Sequence, residues 1–251
     1  MKKYLLLGLG LVVIFVASAV AHMPAKVVNW LPLPRELSIE GVSGTVWNGQ
    51  AQNVAWQGQN YGQLQWNVNA WQLLTADLQA KVRFGRGSDV DMIGRGVVGY
   101  RLSGPYAENV VASIPVANAL PYLPRLPVPL TLEGQLELTI QSLQYAAPYC
   151  HQGEGTLVWN TQQIGSPLGE LTTGPIIADI SCHDNVIDVK GSQQSAQVSS
   201  GFSATMQQNR RYKTNAWFKP EEEFPQQLSE QLKYLRPSRN GQYQFDYNGR
   251  F

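Results

Sequence analysis

Hydrophobic and polar residues alternate with a period of two through most of the chain. In QLQWNVNA, Leu64, Trp66, Val68 and Ala70 fall on one side, and Gln63, Gln65, Asn67 and Asn69 on the other. ADLQAKVRF repeats the pattern, with Leu78, Ala80, Val82 and Phe84 set against Asp77, Gln79, Lys81 and Arg83. LTLEGQLELTI does so again, Leu130, Leu132, Leu136, Leu138 and Ile140 opposing Thr131, Glu133, Gln135, Glu137 and Thr139. Weaker versions lie at residues 97–103, 156–159, 186–189, 202–206, 212–218 and 243–247. Successive strand side chains point to opposite faces, so the pattern predicts about a dozen strands, each wet on one side. The chain reads as mainly β: a curved, extended antiparallel sheet, an open half-barrel or bridge, with one apolar face.

Two segments have helical spacing instead. IPVANALPYLP, residues 114–124, predicts a short helix confined by Pro121 and Pro124. PEEEFPQQLSEQLKYL predicts a helix that starts at Pro220, with Glu221, Glu222 and Glu223 at the positive end of its dipole. Phe224, Leu228, Leu232 and Leu235 then share one face. One or two such helices would cap an open end of the sheet's apolar face; a partner-binding helix is the competing reading.

A third pattern sits at the start. Lys2 and Lys3 precede an unbroken apolar run over residues 4–21, which includes Leu5, Leu6, Leu7, Leu9, Leu11, Val12, Val13, Ile14, Phe15 and Val16. One reading is a single transmembrane signal anchor over residues 1–28, with the N-terminus cytoplasmic. The other is a cleaved secretory signal that uses Ala17, Ala19 and Ala21 as its exit. Either sends residues 29–251 across a bacterial inner membrane into the periplasm. Trp30, just beyond the run, suits a membrane interface.

The exported part is expected to be one β domain with two sequence-related halves, about 30–120 and 130–251. GTVWN at Gly44 returns as GTLVWN at Gly155, and the proline-rich LPYLPRLPVPL lies between as a seam. A chain of 251 residues is long enough to bury a sizeable core.

Composition narrows the chemistry. Charged residues are 15% of the chain and the net charge is +1, which leaves no electrostatic footprint for nucleic acid. The two cysteines, Cys150 and Cys182, are most simply a disulfide in an oxidising compartment. A Cys2His2 zinc site with His151 and His183 competes, as do free thiols. Adjacent strand residues point to opposite faces, however, so a Cys-His pair does not readily aim both side chains at one ion.

GRGVVG, Gly94 to Gly99, matches a dinucleotide-binding glycine pattern, but the alternating Val98, Tyr100 and Leu102 follow it where a helix is required. It reads as glycines at strand bends. The three histidines are His22, His151 and His183, and no G-x-S-x-G elbow accompanies them, so no catalytic residues are assigned and no cofactor is expected. Of the seven tryptophans, those in or beside strands read as packing residues, with an apolar-ligand platform as the alternative.

The apolar run, LSIEGVSGTVWNGQAQNVAWQG, YGQLQWNVNAWQLLTADLQAKVRF, CHQGEGTLVWN and the closing GQYQFDYNGRF together resemble the N component of bacterial type II secretion systems. The resemblance covers essentially the whole chain, and the glycine-tryptophan phrasing is shared with AsmA-like bridge proteins. It implies a bitopic inner-membrane protein with a periplasmic β domain, a non-enzymatic accessory or scaffold that supports export of folded proteins. Implied partners are other secretion components, the inner-membrane platform and the secretin among them. A carrier of lipid or another hydrophobic ligand is the alternative role.

Overall fold

The computed structural model describes residues 2–30, 34–122, 130–161, 163–167 and 169–250. Thirteen strands form one sheet: β1 (Ser43–Gly44), β2 (Asn48–Ala51), β3 (Gln63–Val68), β4 (Leu78–Arg86), β5 (Ile93–Arg101), β6 (Gly104–Pro115), β7 (Gln135–Gln144), β8 (Gln152–Asn160), β9 (Ile176–His183), β10 (Val186–Gln194), β11 (Val198–Met206), β12 (Arg211–Pro220) and β13 (Tyr243–Arg250). Their order in the sheet is their order in the chain, and neighbours are antiparallel throughout. The sheet is therefore a meander. It is open, because β1 and β13 are its two edges and do not pair.

Register decides what each face is made of. One row of paired residues runs Ala51, Leu64, Phe84, Gly94, Ala112, Leu138, Leu157, Ala178, Gly191, Phe202, Ala216, Phe245, from β2 to β13 without a polar member. The adjacent row, on the other face, runs Gln50, Gln65, Arg83, Arg95, Val111, Thr139, Thr156, Asp179, Lys190, Ser203, Asn215, Asp246. Because the pleat has a period of two, the alternation in the sequence becomes two unlike surfaces.

Large side chains and glycines are matched across strands. A side chain at Gly94 would meet the ring of Phe84, one at Gly191 the ring of Phe202, one at Gly99 the ring of Tyr106, and one at Gly201 the indole of Trp217. The glycines leave room for rings to lie along the sheet, which accounts for GRGVVG: all of it sits within β5.

Among the described residues the buried apolar side chains gather mainly at Ala25, Val42 and Ala51, beside the first strands of the sheet. Most residues of the apolar face are half-buried, and Cys150 is the largest fully buried side chain among the described residues. Among the described residues the sheet has little to pack against over most of its apolar side.

The elements outside the meander are small. Leu37–Glu40, Asn53–Trp56 and Gln59–Asn60 form one three-stranded sheet, and Thr131–Leu132, Gln163–Ser166 and Gly169–Thr172 form another. The alternating run over residues 130–140 is thus not one strand. Gly134, at φ +102, breaks it between Thr131–Leu132 and β7. The echo GTVWN/GTLVWN also takes two forms, a turn from β1 into β2 at its first occurrence and the interior of β8 at its second. Across the expected seam β6 and β7 pair directly, from Gln135↔Pro115 onward. Residues 123–129 of the seam, with Pro124, lie outside the described residues.

Helix α1 covers Lys2–Ala21, where the apolar run predicts one. Leu11, Val12, Ile14, Phe15 and Val16 are exposed on it; the side chains of Leu5, Leu6, Leu7, Leu9 and Val13 lie outside the description. Among the described residues no helix is long and apolar enough to cross a membrane. Helix α2 is Val116–Ala119, continued by a 3-10 turn over Leu120–Tyr122, within the segment expected to be helical.

Helix α3 departs from expectation. Pro220 ends β12, paired with Val198, and α3 covers only Gln226–Gln231, followed by a 3-10 turn over Leu232–Tyr234. The backbone N–H groups of Glu221 and Glu223 donate to Gln197 O and Ala196 O, and extended Pro225 sets the helix start. The three glutamates therefore lie before the helix and not at its N-terminal dipole.

Candidate interaction surfaces

Four features of the sheet can meet a partner or ligand: its two edges and its two faces. The first edge is occupied by the chain itself. Pro24 forms an antiparallel bridge with Thr45, the Val46 N–H donates to Met23 O at 3.0 Å, and Trp47 Nε1 donates to Val20 O, in the last turn of α1, at 2.8 Å. Beneath this joint Ala25, Val42 and Ala51 are buried together, with Val28, Ile39, Val54, Leu64 and Trp66 packed on them. The end of α1 is thus built into β1 and β2, and Trp30 stands 85% exposed beside it.

The opposite edge is open among the described residues. Strand β13 pairs with β12 over eight residues, Arg211↔Arg250 to Phe218↔Tyr243, and among the described residues no strand pairs with its other side. Its apolar side carries an aromatic ladder, Phe218 stacked on Tyr243 at 5.1 Å and on Phe245 at 6.0 Å, with Tyr212 against Tyr247 at 5.9 Å. Natural sheets normally shorten, charge or cover an edge of this length, because unpaired N–H and C=O groups invite another strand.

The apolar face holds a cleft at each end of its central strands. A disulfide joins Cys150 to Cys182 across a separation of 32 residues and holds the loop before β8 over the ends of β7 to β10. Beneath that loop lies a cleft of about 410 Å³, walled by Leu138, Leu143, Pro148, Tyr149 and the two cysteines. Gly153 and Gly155 form its floor, where absent side chains leave the space. The second cleft, about 380 Å³, lies where Phe224, Leu228 and Leu232 cover Ile176, Val198 and Phe218. The helix face read from the sequence is therefore the one that caps the sheet, although its Leu235 stays 42% exposed.

On the polar face a clasp ties β4, β5 and β6 together. Tyr106 Oη donates to Asp77 Oδ1 at 2.7 Å, Arg101 Nε donates to Asp77 Oδ2 at 3.0 Å, and Arg101 Nη2 donates to Glu108 Oε1 at 3.0 Å. The guanidinium also lies 3.8 Å over the Tyr106 ring. The Tyr106 hydroxyl, then Arg101, hold the Asp77 carboxyl below its ordinary range, while burial raises the Tyr106 phenol. These groups satisfy one another and bind the strands.

The residues singled out from the sequence are not brought into a reactive constellation. His151 Nδ1 lies 3.0 Å from Asp184 Oδ1, both exposed, and the cysteines beside the two histidines are bonded to each other and not held as zinc ligands. Glu221 accepts from Ser199 Oγ at 2.6 Å, which lowers its pKa, with Lys219 adding to the effect. Trp159 Nε1 donates to Glu133 O and Trp66 Nε1 to Val46 O, so these indoles are structural.

Comparison with known proteins assigns the chain to a family. Residues 35–246 match the family described as "Type II secretion system (T2SS), protein N". The type II secretion system protein N of Vibrio cholerae serotype O1 is 45% identical over 251 residues, covering 99% of each chain. That of Aeromonas hydrophila is 32% identical over 256 residues, covering 100% of each, and that of Klebsiella pneumoniae is 25% identical over 91% of this chain and 88% of its own. No solved structure matches the chain significantly. With the family matched over most of its length, by residues that build the sheet from its first small strands to its last edge, the chain belongs to the type II secretion system protein N family.

Proposed function

We propose that this chain is a non-enzymatic scaffold of a type II secretion system, held in the inner membrane by α1 and supporting the export of folded proteins from the periplasm. The observation that carries this reading is the joint between α1 and the first edge of the sheet. The span in this proposal is read from the apolar run of the sequence over residues 4–21. Helix α1 counts 20 residues, about 30 Å, and its described side chains alone do not make it apolar enough to cross. Leu5, Leu6, Leu7, Leu9, Leu11, Val12, Val13, Ile14, Phe15 and Val16 are its membrane residues in this proposal, with Lys2 and Lys3 on the cytoplasmic side. From the joint, thirteen strands at about 4.8 Å spacing carry the sheet roughly 58 Å along its contour to the open edge of β13. The membrane platform and the secretin are the partners that such a reach would serve, by strand addition at that edge.

The experiment is a deletion strain complemented in two ways. The full chain restores exoprotein secretion; a chain whose residues 1–28 are replaced by a cleavable signal, releasing the sheet from the membrane, does not. A deletion strain that secretes at the normal rate contradicts the proposal.

A second reading, carriage of lipid or another apolar molecule, is favoured by the uninterrupted apolar row from Ala51 to Phe245. Native mass spectrometry of the protein from mild detergent separates the two. A co-purifying lipid retained by the full chain supports carriage, and a clean mass supports the scaffold alone.

A further inference from the structure

Along the polar row, charged residues meet neutral or opposite neighbours, as where Asp179 pairs with Lys190. Two positions on that face break the rule: Arg211 pairs with Arg250 at the last edge, and a second such pair lies within the sheet. Arg83 on β4 pairs directly with Arg95 on β5, and Lys81 follows two residues along on the same face. All three side chains are exposed, and among the described residues none has an acidic partner. Like charges directly opposite each other on a sheet are destabilising, and a chain whose net charge is only +1 nevertheless holds these three cations together.

These cations do not stand on a flat surface. With Asn48, Gln65 and Asn67 they line a depression of about 400 Å³ on the polar face. Asn109 closes one side at φ +50, beside the register shift between Arg95 and Val97. We propose that this depression is a docking site for an acidic segment of a partner polypeptide. The guanidinium groups and the ammonium would meet carboxylates, with which arginine pairs through two parallel hydrogen bonds. The surrounding amides each carry a donor and an acceptor. A polypeptide backbone offers both in return, whereas a phosphate group offers acceptors, so the rim favours peptide over headgroup. The inference rests on the reading of the chain as a docking component and adds the chemistry of what docks; its test in vitro can fail while the secretion phenotype stands.

The test measures binding of a fluorescein-labelled oligoglutamate peptide to the full chain in a neutral detergent, by anisotropy. The Arg83→Gln/Arg95→Gln pair should weaken binding by about tenfold or more, Lys81→Gln should weaken it by less, and Lys190→Gln, on the same face opposite Asp179, should leave it unchanged. Raising salt from about 50 to about 300 mM should weaken the parent protein's binding and level the difference. Removing the like-charge pair should leave the melting temperature unchanged or raise it, which separates lost docking from lost folding. Three outcomes overturn the proposal: equal binding by the paired variant, equal loss with Lys190→Gln, and full competition by inorganic phosphate or by phosphatidylglycerol vesicles.

Discussion

At the scale of single residues, two devices hold the sheet together where its apolar face is only half-buried. The first is the ring laid over a glycine. Adding a methyl group at Gly94 would press on the Phe84 ring and on Val111 O, 2.9 Å away. Gly94→Ala should cost about 1–3 kcal/mol in urea unfolding. In Phe84→Ala/Gly94→Ala the two costs should sum to less than their separate values, because the ring that clashes is gone. Strict additivity would show that ring and glycine are not coupled. The second device is the Asp77 clasp. Its carboxyl is held below the ordinary value of 3.8, first by the Tyr106 hydroxyl and then by Arg101. A lowered folded-state pKa contributes stability that is complete above the unfolded-state value and lost as pH falls through the folded-state value. Asp77→Asn should therefore lower the urea midpoint at pH 7, and the gap from the parent protein should narrow as the pH falls below about 4. A gap of constant size would mean that the carboxylate charge contributes nothing.

At the scale of elements, the disulfide has the largest predicted effect. Closing a loop of 32 residues gives about 3–4 kcal/mol by the chain-entropy model. Cys150→Ser/Cys182→Ser should lose about that much in denaturant unfolding, and the unreduced, denatured parent should take up no thiol label. Free thiols in the parent would remove the bond and the prediction together. This bond was legible from two cysteines under the expectation of an oxidising compartment, as were the strands whose alternation is clean, β3 and β4 among them. The longest strand, β6, was not. Its apolar members shift phase at Asn109, where a positive φ and the register slip opposite Arg95 and Val97 break the period of two. The start of α3 was misread because Pro220 at a strand end and Pro220 at a helix start look alike until its partner Val198 is known. The cluster of Lys81, Arg83 and Arg95 was hidden for a similar reason: the sequence puts Arg95 twelve residues from Arg83, and only the pairing of β4 with β5 sets them side by side.

At the scale of the whole molecule, the sheet has a direction. Its first edge is built into the end of α1, its last edge is open among the described residues, and an unbroken apolar row connects them on one side, with a polar row on the other. That polarity was only partly legible. Alternation predicts two unlike faces for each strand, but it does not say that thirteen strands follow one another in chain order or that most of the described apolar face stays only half-buried. In the proposed arrangement the anchored edge fixes the sheet at the membrane and leaves β13 to reach a secretion component. The most direct test is a photo-crosslinking residue placed at Asn248 of β13 in cells that are secreting through their type II system. The account predicts one discrete adduct with another component of that system, lost when the crosslinker is moved to Trp30 beside the anchor. No adduct from β13, with the protein folded and secretion intact, would contradict it.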